Sequence, residues 1–270
     1  MRIAVMSDIH LFRKTDRIRC ALKAAAQPDA LLIAGDLTDR AQTEQFDLLH
    51  ACIQDCLGSV PVYAVAGNHD NPARDDAAFR AFERSILAQA QYCPDGSGAF
   101  FHRLCPDVDI IGLNPVYHQK MFFFPERGKQ LCFLESVLEK SEASHRIVLC
   151  HPPLLAHNPL RAVTPYITIE QDARLQRIID GSKHVIFISG HTHTAPAVEM
   201  DALRNNIYIN DGSICPTATG NPDQPTQQGN ITILNTGEHG MHISIQGIHT
   251  GKTFFSACVP SPDAGQNQML

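Results

Sequence analysis

The chain predicts an α/β fold of two mixed sheets packed together with helices outside, and three observations carry that expectation. Strand-like apolar runs alternate with helix-like amphipathic stretches as far as residue 189, the pattern of βαβ units and a parallel sheet. Several of these runs are apolar at successive positions, as central strands buried on both faces are. From residue 197 onward nearly every signal is a strand, which calls for a second sheet.

Taken in order, "RIAVM" (2–6) reads as a strand, and a helix over 15–26 is entered through Thr15 or Asp16. "ALLIA" (30–34) is a strand after Pro28-Asp29, with an amphipathic helix at about 42–57; "VPVYAVA" (60–66) is another, with a helix at about 75–90. "AFFHRL" (99–104) and "VDIIGL" (108–113) read as a strand pair, followed by a helix over 127–140. "RIVLC" (146–150), a helix over 168–181 and "HVIFIS" (184–189) come next. "AVEM", "NIYIN", "ITIL" and "MHISI" complete the strands. One domain is expected over 1–258, with 259–270 as a C-terminal tail, mobile at its end for want of apolar residues to bury.

Composition is that of an ordinary globular chain: 270 residues, 44% hydrophobic and 19% charged. No apolar run approaches the roughly 20 residues of a membrane helix. Asp8 and His10 follow Arg2 so closely that no secretory h-region fits, so a cytoplasmic location is expected. Nine scattered cysteines without a CxxC motif indicate neither a disulfide framework nor a thiolate zinc site. Cys52 and Cys56 share a helix face and read as core. A net charge of −6 without a long basic run argues against a nucleic-acid groove.

The chemistry lies in how five apolar runs end: "IAVMSDIH", "LLIAGD", "YAVAGNHD", "IVLCHPP" and "IFISGHTH". Ligands of parallel α/β sheets sit beyond the carboxyl ends of the strands, where loops converge. These endings bring Asp8, His10, Asp36, Asn68, His69, His151, His191 and His193 to one edge, all oxygen or nitrogen donors. A single aspartate there caps a turn as readily as it binds a metal, and a single histidine is more often a satisfied core residue. Five such endings in one chain favour a shared metal-binding edge.

D-x-H (8–10), G-D-x-x-D (35–39), G-N-H-D (67–70), the lone His151 and G-H-x-H (190–193) resemble, in order and spacing, the calcineurin-like metallophosphoesterases, over roughly residues 1–215. The resemblance implies a four-layer α/β/β/α sandwich and a two-metal centre. Asp8, His10, Asp36 and His193 would hold one ion; Asp36, Asn68, His151 and His191 would hold the other, with Asp36 bridging. "NDGSICP" (210–216) resembles the strand end that comes after G-H-x-H in the family.

The same resemblance implies a binuclear phosphoesterase acting on a small phosphate ester. Two divalent ions would lower the pKa of a shared water, so that a bridging hydroxide attacks phosphorus, and would bind the phosphoryl oxygens. They outweigh the two aspartates and a hydroxide in charge, so an anion is accepted despite the acidic chain. The donor set suits Mn²⁺, Fe, Zn²⁺ or Co²⁺ rather than Mg²⁺ alone. His69 would serve the leaving group as general acid or hydrogen-bond donor, oriented by Asp39, which otherwise caps the following helix. Arg40 resembles a phosphate-binding arginine of the protein-phosphatase branch, though Ala41 replaces the glycine found there; the alternative is a solvated helix start. Loops 114–128 and 152–166 are expected to flank the centre, with His118, His157 and Arg161 as substrate candidates. Phe122, Phe123 and Phe124 read as core or as a homo-oligomer contact. The motif wording favours phosphodiesters, of cyclic-nucleotide or glycerophosphodiester type. A phosphomonoesterase or nucleotide pyrophosphatase would use the same centre, and a non-catalytic metal-binding scaffold is the remote alternative.

Overall fold

β1 (Arg2–Met6), β2 (Ala30–Ala34) and β3 (Val62–Val65) form a parallel set, and β2 shows why such strands are apolar throughout. Leu31 and Ile33 pack toward helices on one face, while Ala30, Leu32 and Ala34 pack toward a second sheet on the other. The protein was analysed as a computed structural model that describes residues 1–71, 76–86, 90–125, 128–162, 169–215, 229–238 and 240–261. α1 (Asp16–Ala24) and α2 (Thr43–Leu57) connect these strands, and α3 (Ala77–Ile86) follows them. α2 opens with reciprocal capping between Gln42 and Gln45, so Gln42 rather than Asp39 is its N-cap.

The chain then crosses to the second sheet through β4 (Gln91–Tyr92), β5 (Phe100–Cys105) and β6 (Val108–Leu113). A short hairpin, β7 (Val116–His118) with β8 (Met121–Phe123), precedes α4 (Gln130–Lys140). β9 (His145–Cys150), α5 (Asp172–Asp180) and β10 (Val185–Ser189) continue the parallel pattern; β11 (Ala197–Asp201) and β12 (Asn206–Asn210) close this sheet. The chain returns to the first sheet with β13 (Asn230–Gly237), β14 (Gly240–Gly247) and β15 (Thr253–Pro260).

Strand order is β15-β14-β13-β1-β2-β3 in one sheet and β11-β12-β10-β9-β6-β5-β4 in the other, both mixed. Three apolar layers hold them. Ile18, Leu22, Phe46, Leu49 and Phe79 cover the first sheet from outside. Val5, Leu32, Val65, Ile110, Leu149 and Ile188 fill the space between sheets. Leu131, Leu134, Leu175 and Ile179 cover the second sheet over Val148 and Phe187. The expected α/β/β/α layering is present.

Some boundaries differ from the sequence reading. β15 runs two residues into the expected tail: Val259 is buried and pairs with Met241, and Pro260 pairs with Gly240. The rest of the tail from 262, and parts of loops 114–128 and 152–166 (126–127 and 163–166), lie outside the described residues. So do His239, Pro216, and the helix positions 75, 87–89, 127 and 168 of the sequence reading.

Candidate metal centre

β1, β2, β3, β9 and β10 each end where apolar sequence gives way to polar donors, and the five endings meet. The Asp8 N–H donates to the Gly35 carbonyl and the His10 N–H to the Asp36 carbonyl, each at 3.0 Å. These bonds join the loops after β1 and β2. The loop after β3 is tied in by the His69 N–H, 2.8 Å from Asp36 Oδ1. Across the two sheets, the His191 N–H lies 3.0 Å from both oxygens of Asp8; within the second sheet, the Gly190 N–H donates to the His151 carbonyl at 2.9 Å. Gly67 and Gly190 permit this approach, since a Cβ on either would collide with the Asp36 or Asp8 carboxylate.

The backbone carries strain at the donors themselves. Asp8 (φ 51), His10 (φ 45), Asp36 (φ 50), His191 (φ 69) and His193 (φ 49) all adopt the left-handed region. Each costs on the order of 1 kcal/mol for a residue with a Cβ. Five such residues within one cluster point to a function that the arrangement serves.

Three overlapping donor groups result: Asp8–His10–Asp36–His193, Asp36–His151–His191 and His10–Asp39–His69; Asp36 belongs to the first two and His10 to the first and third. Asp36 Oδ2 lies 3.5 Å from His10 Nε2 and 3.3 Å from His151 Nε2. Asp8 Oδ1 is 3.1 Å from His193 Nε2, which is 2.8 Å from His10 Nε2.

The fit to cations follows from His151. Its Nδ1 donates to the Ala34 carbonyl at 2.8 Å, so in the neutral ring Nε2 carries a lone pair. That atom is buried without a hydrogen-bond partner and faces a carboxylate oxygen. Two acceptors held this close require a proton or a cation between them. Asn68 Oδ1 is likewise buried and unpartnered. The electrostatics agree: burial opposes charge on His151, yet Asp36 and Asp8 hold its pKa up at about 9. Burial would raise Asp36, but His151, His10 and His69 keep it well below the carboxylate range. Burial first, and His151 second, push His191 down to about 3. Oxygen and imidazole donors without thiolate suit first-row divalent ions.

His69 sits beside this cluster, its ring at right angles to that of His10 with centroids 4.5 Å apart. The expected Asp39–His69 pairing takes a different form: His69 Nδ1 donates to the backbone carbonyl of Asp39 at 2.9 Å. The Asp39 carboxylate instead accepts from Arg40 Nε at 3.2 Å. Arg40 is mostly exposed, and its guanidinium lies over the Phe12 ring, outside the three donor groups. His157 stacks on Tyr208 and, with Arg161, engages Glu199. His118 is exposed in β7.

Three supports were not assigned from the sequence. Asp70, fully buried, accepts hydrogen bonds from the N–H groups of Leu37, Thr38 and Gly67 and from the Thr38 hydroxyl, clamping two loops together. Burial, then the charge of Asp36, raises it to about 6. Its place as the last residue of G-N-H-D was the available signal. Phe122 is buried with its ring 5.0 Å from that of His191 and 5.8 Å from that of His151, so this phenylalanine is core against two donors. The N-D-G-S segment braces both sides: Asn210 Nδ2 donates to the Gly190 carbonyl, and Ser213 Oγ to that of Asp8.

Comparison with known proteins bears on the same residues. Residues 1–195 match the family model described as calcineurin-like phosphoesterase. A protein of Rhodococcus erythropolis named "Probable cyclic nucleotide phosphodiesterase" is 24% identical over 200 residues, 70% of this chain and 60% of its own. One of the same name from Synechococcus sp. is 28% identical over 172 residues, 62% of this chain and 59% of its own. The chain thus spans about 60% of the length of the curated relatives it matches. Among solved structures, TT1561 of Thermus thermophilus has a similar fold, with TM-score 0.53 and 13% identity over 96% of this chain and 98% of that one.

Proposed function

The chain belongs to the calcineurin-like phosphoesterase family, and on that premise we propose that it hydrolyses phosphodiesters at a centre of two metal ions sharing Asp36. Asp8, His10 and His193 complete one set of ligands with it; Asn68, His151 and His191 complete the other. The observation that carries this reading is Asp36 Oδ2 placed between His10 Nε2 and the unpartnered Nε2 of His151. When bound, such ions supply an activated water and positive charge for the phosphoryl oxygens. The chain itself holds the donors in place through strained loops and keeps the two aspartates in their charged forms. His69 is fixed through Nδ1–H by the Asp39 carbonyl, and in its doubly protonated form its Nε2–H would give a proton to the departing oxygen. Preference for diesters is supported by the names of the two relatives.

The test is metal analysis of chelator-treated protein reloaded with Mn²⁺, Zn²⁺ or Fe²⁺, followed by assay on bis(4-nitrophenyl) phosphate, 4-nitrophenyl phosphate and 3′,5′-cyclic AMP. Two ions per chain and the larger kcat/KM on diesters are expected. No uptake and no turnover would favour the scaffold reading, and a preference for the monoester would move the assignment to a phosphomonoesterase. His69→Ala should lose about a hundredfold on alkyl esters and much less on nitrophenyl esters, whose leaving groups need no proton. Equal losses on both would remove the acid role.

A further inference from the structure

A cavity of about 520 Å³ opens beside His10, between the loop that follows β1 and the first turn of α1. Its size is that of a small-molecule site, and its lining gathers three cations within five residues of sequence. Arg13, Lys14 and Arg17, all on the cavity wall, have no ion pair among the described residues. Arg17 Nε is buried without a hydrogen-bond partner. The cavity has one acidic lining residue, Asp16.

One of these cations is also held in place. Phe12, 39% exposed, carries the Arg13 guanidinium 5.0 Å from its ring centroid and that of Arg40 4.9 Å away. A ring flanked by two guanidinium groups serves as their platform. α1 begins here without a side-chain cap on its first N–H groups, which adds favourable potential for an anion. In a chain of net charge −6, three unpaired cations beside a cavity that reaches a donor of the metal centre form an anion-binding wall.

We propose that this cavity is the subsite for a second phosphate, and that the preferred substrates are phosphoesters carrying a further phosphate group on one ester arm. The proposal rests on the phosphoesterase reading above. One phosphate meets the Asp36 centre, and the other is met by Arg13, Lys14 and Arg17 through charge-assisted hydrogen bonds. Ile9 and Leu11 give the connecting organic part an apolar wall.

A matched pair of substrates tests it: the 4-nitrophenyl ester of thymidine 5′-phosphate, and the same ester bearing a 3′-phosphate. The metal-loaded enzyme should favour the second by about tenfold in kcat/KM, chiefly through KM. In the double variant R13A/K14A, with its fold checked by circular dichroism, that ratio should fall close to one. Equal kcat/KM values in the wild type, or a ratio that survives the double substitution, would overturn the subsite and leave the phosphoesterase reading standing. Failure of the metal-loaded wild type to hydrolyse either ester would remove that reading, and the subsite with it.

Discussion

The two ends of the same strands are built to opposite specifications. At the entry end most polar groups are matched, with His145 Nδ1, Arg146 Nε and His184 Nδ1 as exceptions. The Arg2 N–H donates to Asp29 at 2.7 Å, and Arg2 Nε to the Ala25 carbonyl at 2.8 Å. Buried Asp109 accepts from Arg103 Nε at 2.9 Å, Arg103 Nη2 at 3.2 Å and Ser141 Oγ at 2.6 Å. At the exit end, two carboxylates are buried beside each other's charge, five donors have left-handed backbones, and His151 Nε2 and Asn68 Oδ1 lack partners. The strain and the unpartnered atoms of that exit edge give folding alone nothing in return. The arrangement of the edge makes sense when something positively charged completes it, and the entry end shows what the same strands look like without that requirement.

The largest expected effect breaks the comparison at Asp36. An outer partner of a metal ligand costs up to about 100-fold when removed, so an oxygen shared by two ions should cost on the order of 10⁴-fold in joint occupancy and turnover. Asp36→Asn retains an oxygen to accept the His69 N–H while losing the charge. In chelator-treated protein the Tm should fall, because His151, His10 and His69 hold Asp36 in its charged form and the variant leaves the buried His151 without its partner. Two bound ions and near-normal turnover in the variant would show that Asp36 is not shared.

How much of this contrast the sequence carried depends on burial. The expected strands at 2–6, 30–34, 108–113 and 206–210 have the observed bounds, because strands covered on both faces carry successive apolar residues through their middles. β15 escaped notice since it is an edge strand with Val259 as its one buried residue among the eight. β7 and β8 are three residues each, too short for periodicity to register. Donor residues were legible because they interrupt apolar runs with chemistry no core needs. The His69 orientation was not, since a backbone carbonyl belongs to every residue and Asp39 advertises only its carboxylate. Asp70 was hidden for a related reason: its partners are mostly N–H groups of loops whose approach exists only in the fold.

At the entry end, substitution should cost stability and leave chemistry alone. Asp109→Ala removes three hydrogen bonds from a buried carboxylate, but Arg103 is half exposed and is resolvated. The expected loss is about 2 kcal/mol, read as a lower midpoint in urea with kcat/KM on bis(4-nitrophenyl) phosphate unchanged. A variant that unfolds at the wild-type midpoint would show the entry end to be as loosely determined as the exit.

The smallest effect concerns one of the exceptions at that end. His145 is buried with Nδ1 unpartnered; burial first, then the charge of His184, pushes it down to about 4. Unfolded, it titrates near 6.5. Between these values the unfolded chain binds a proton that the folded chain does not, so stability falls as pH drops below 6.5 and the loss is complete near 4. From pH 7.5 to 5.5 this group alone removes about 1 kcal/mol. Glu83, raised to about 7 mainly by burial, works in the opposite direction over part of that range. The measurement is therefore the difference between wild type and His145→Leu in urea unfolding at the two pH values. His145→Leu should lose less stability on acidification by that amount. Parallel curves would mean that the proton finds His145 in the folded chain as readily as in the unfolded one, and that burial at the entry end exerts less force than the neighbouring hydrogen bonds imply.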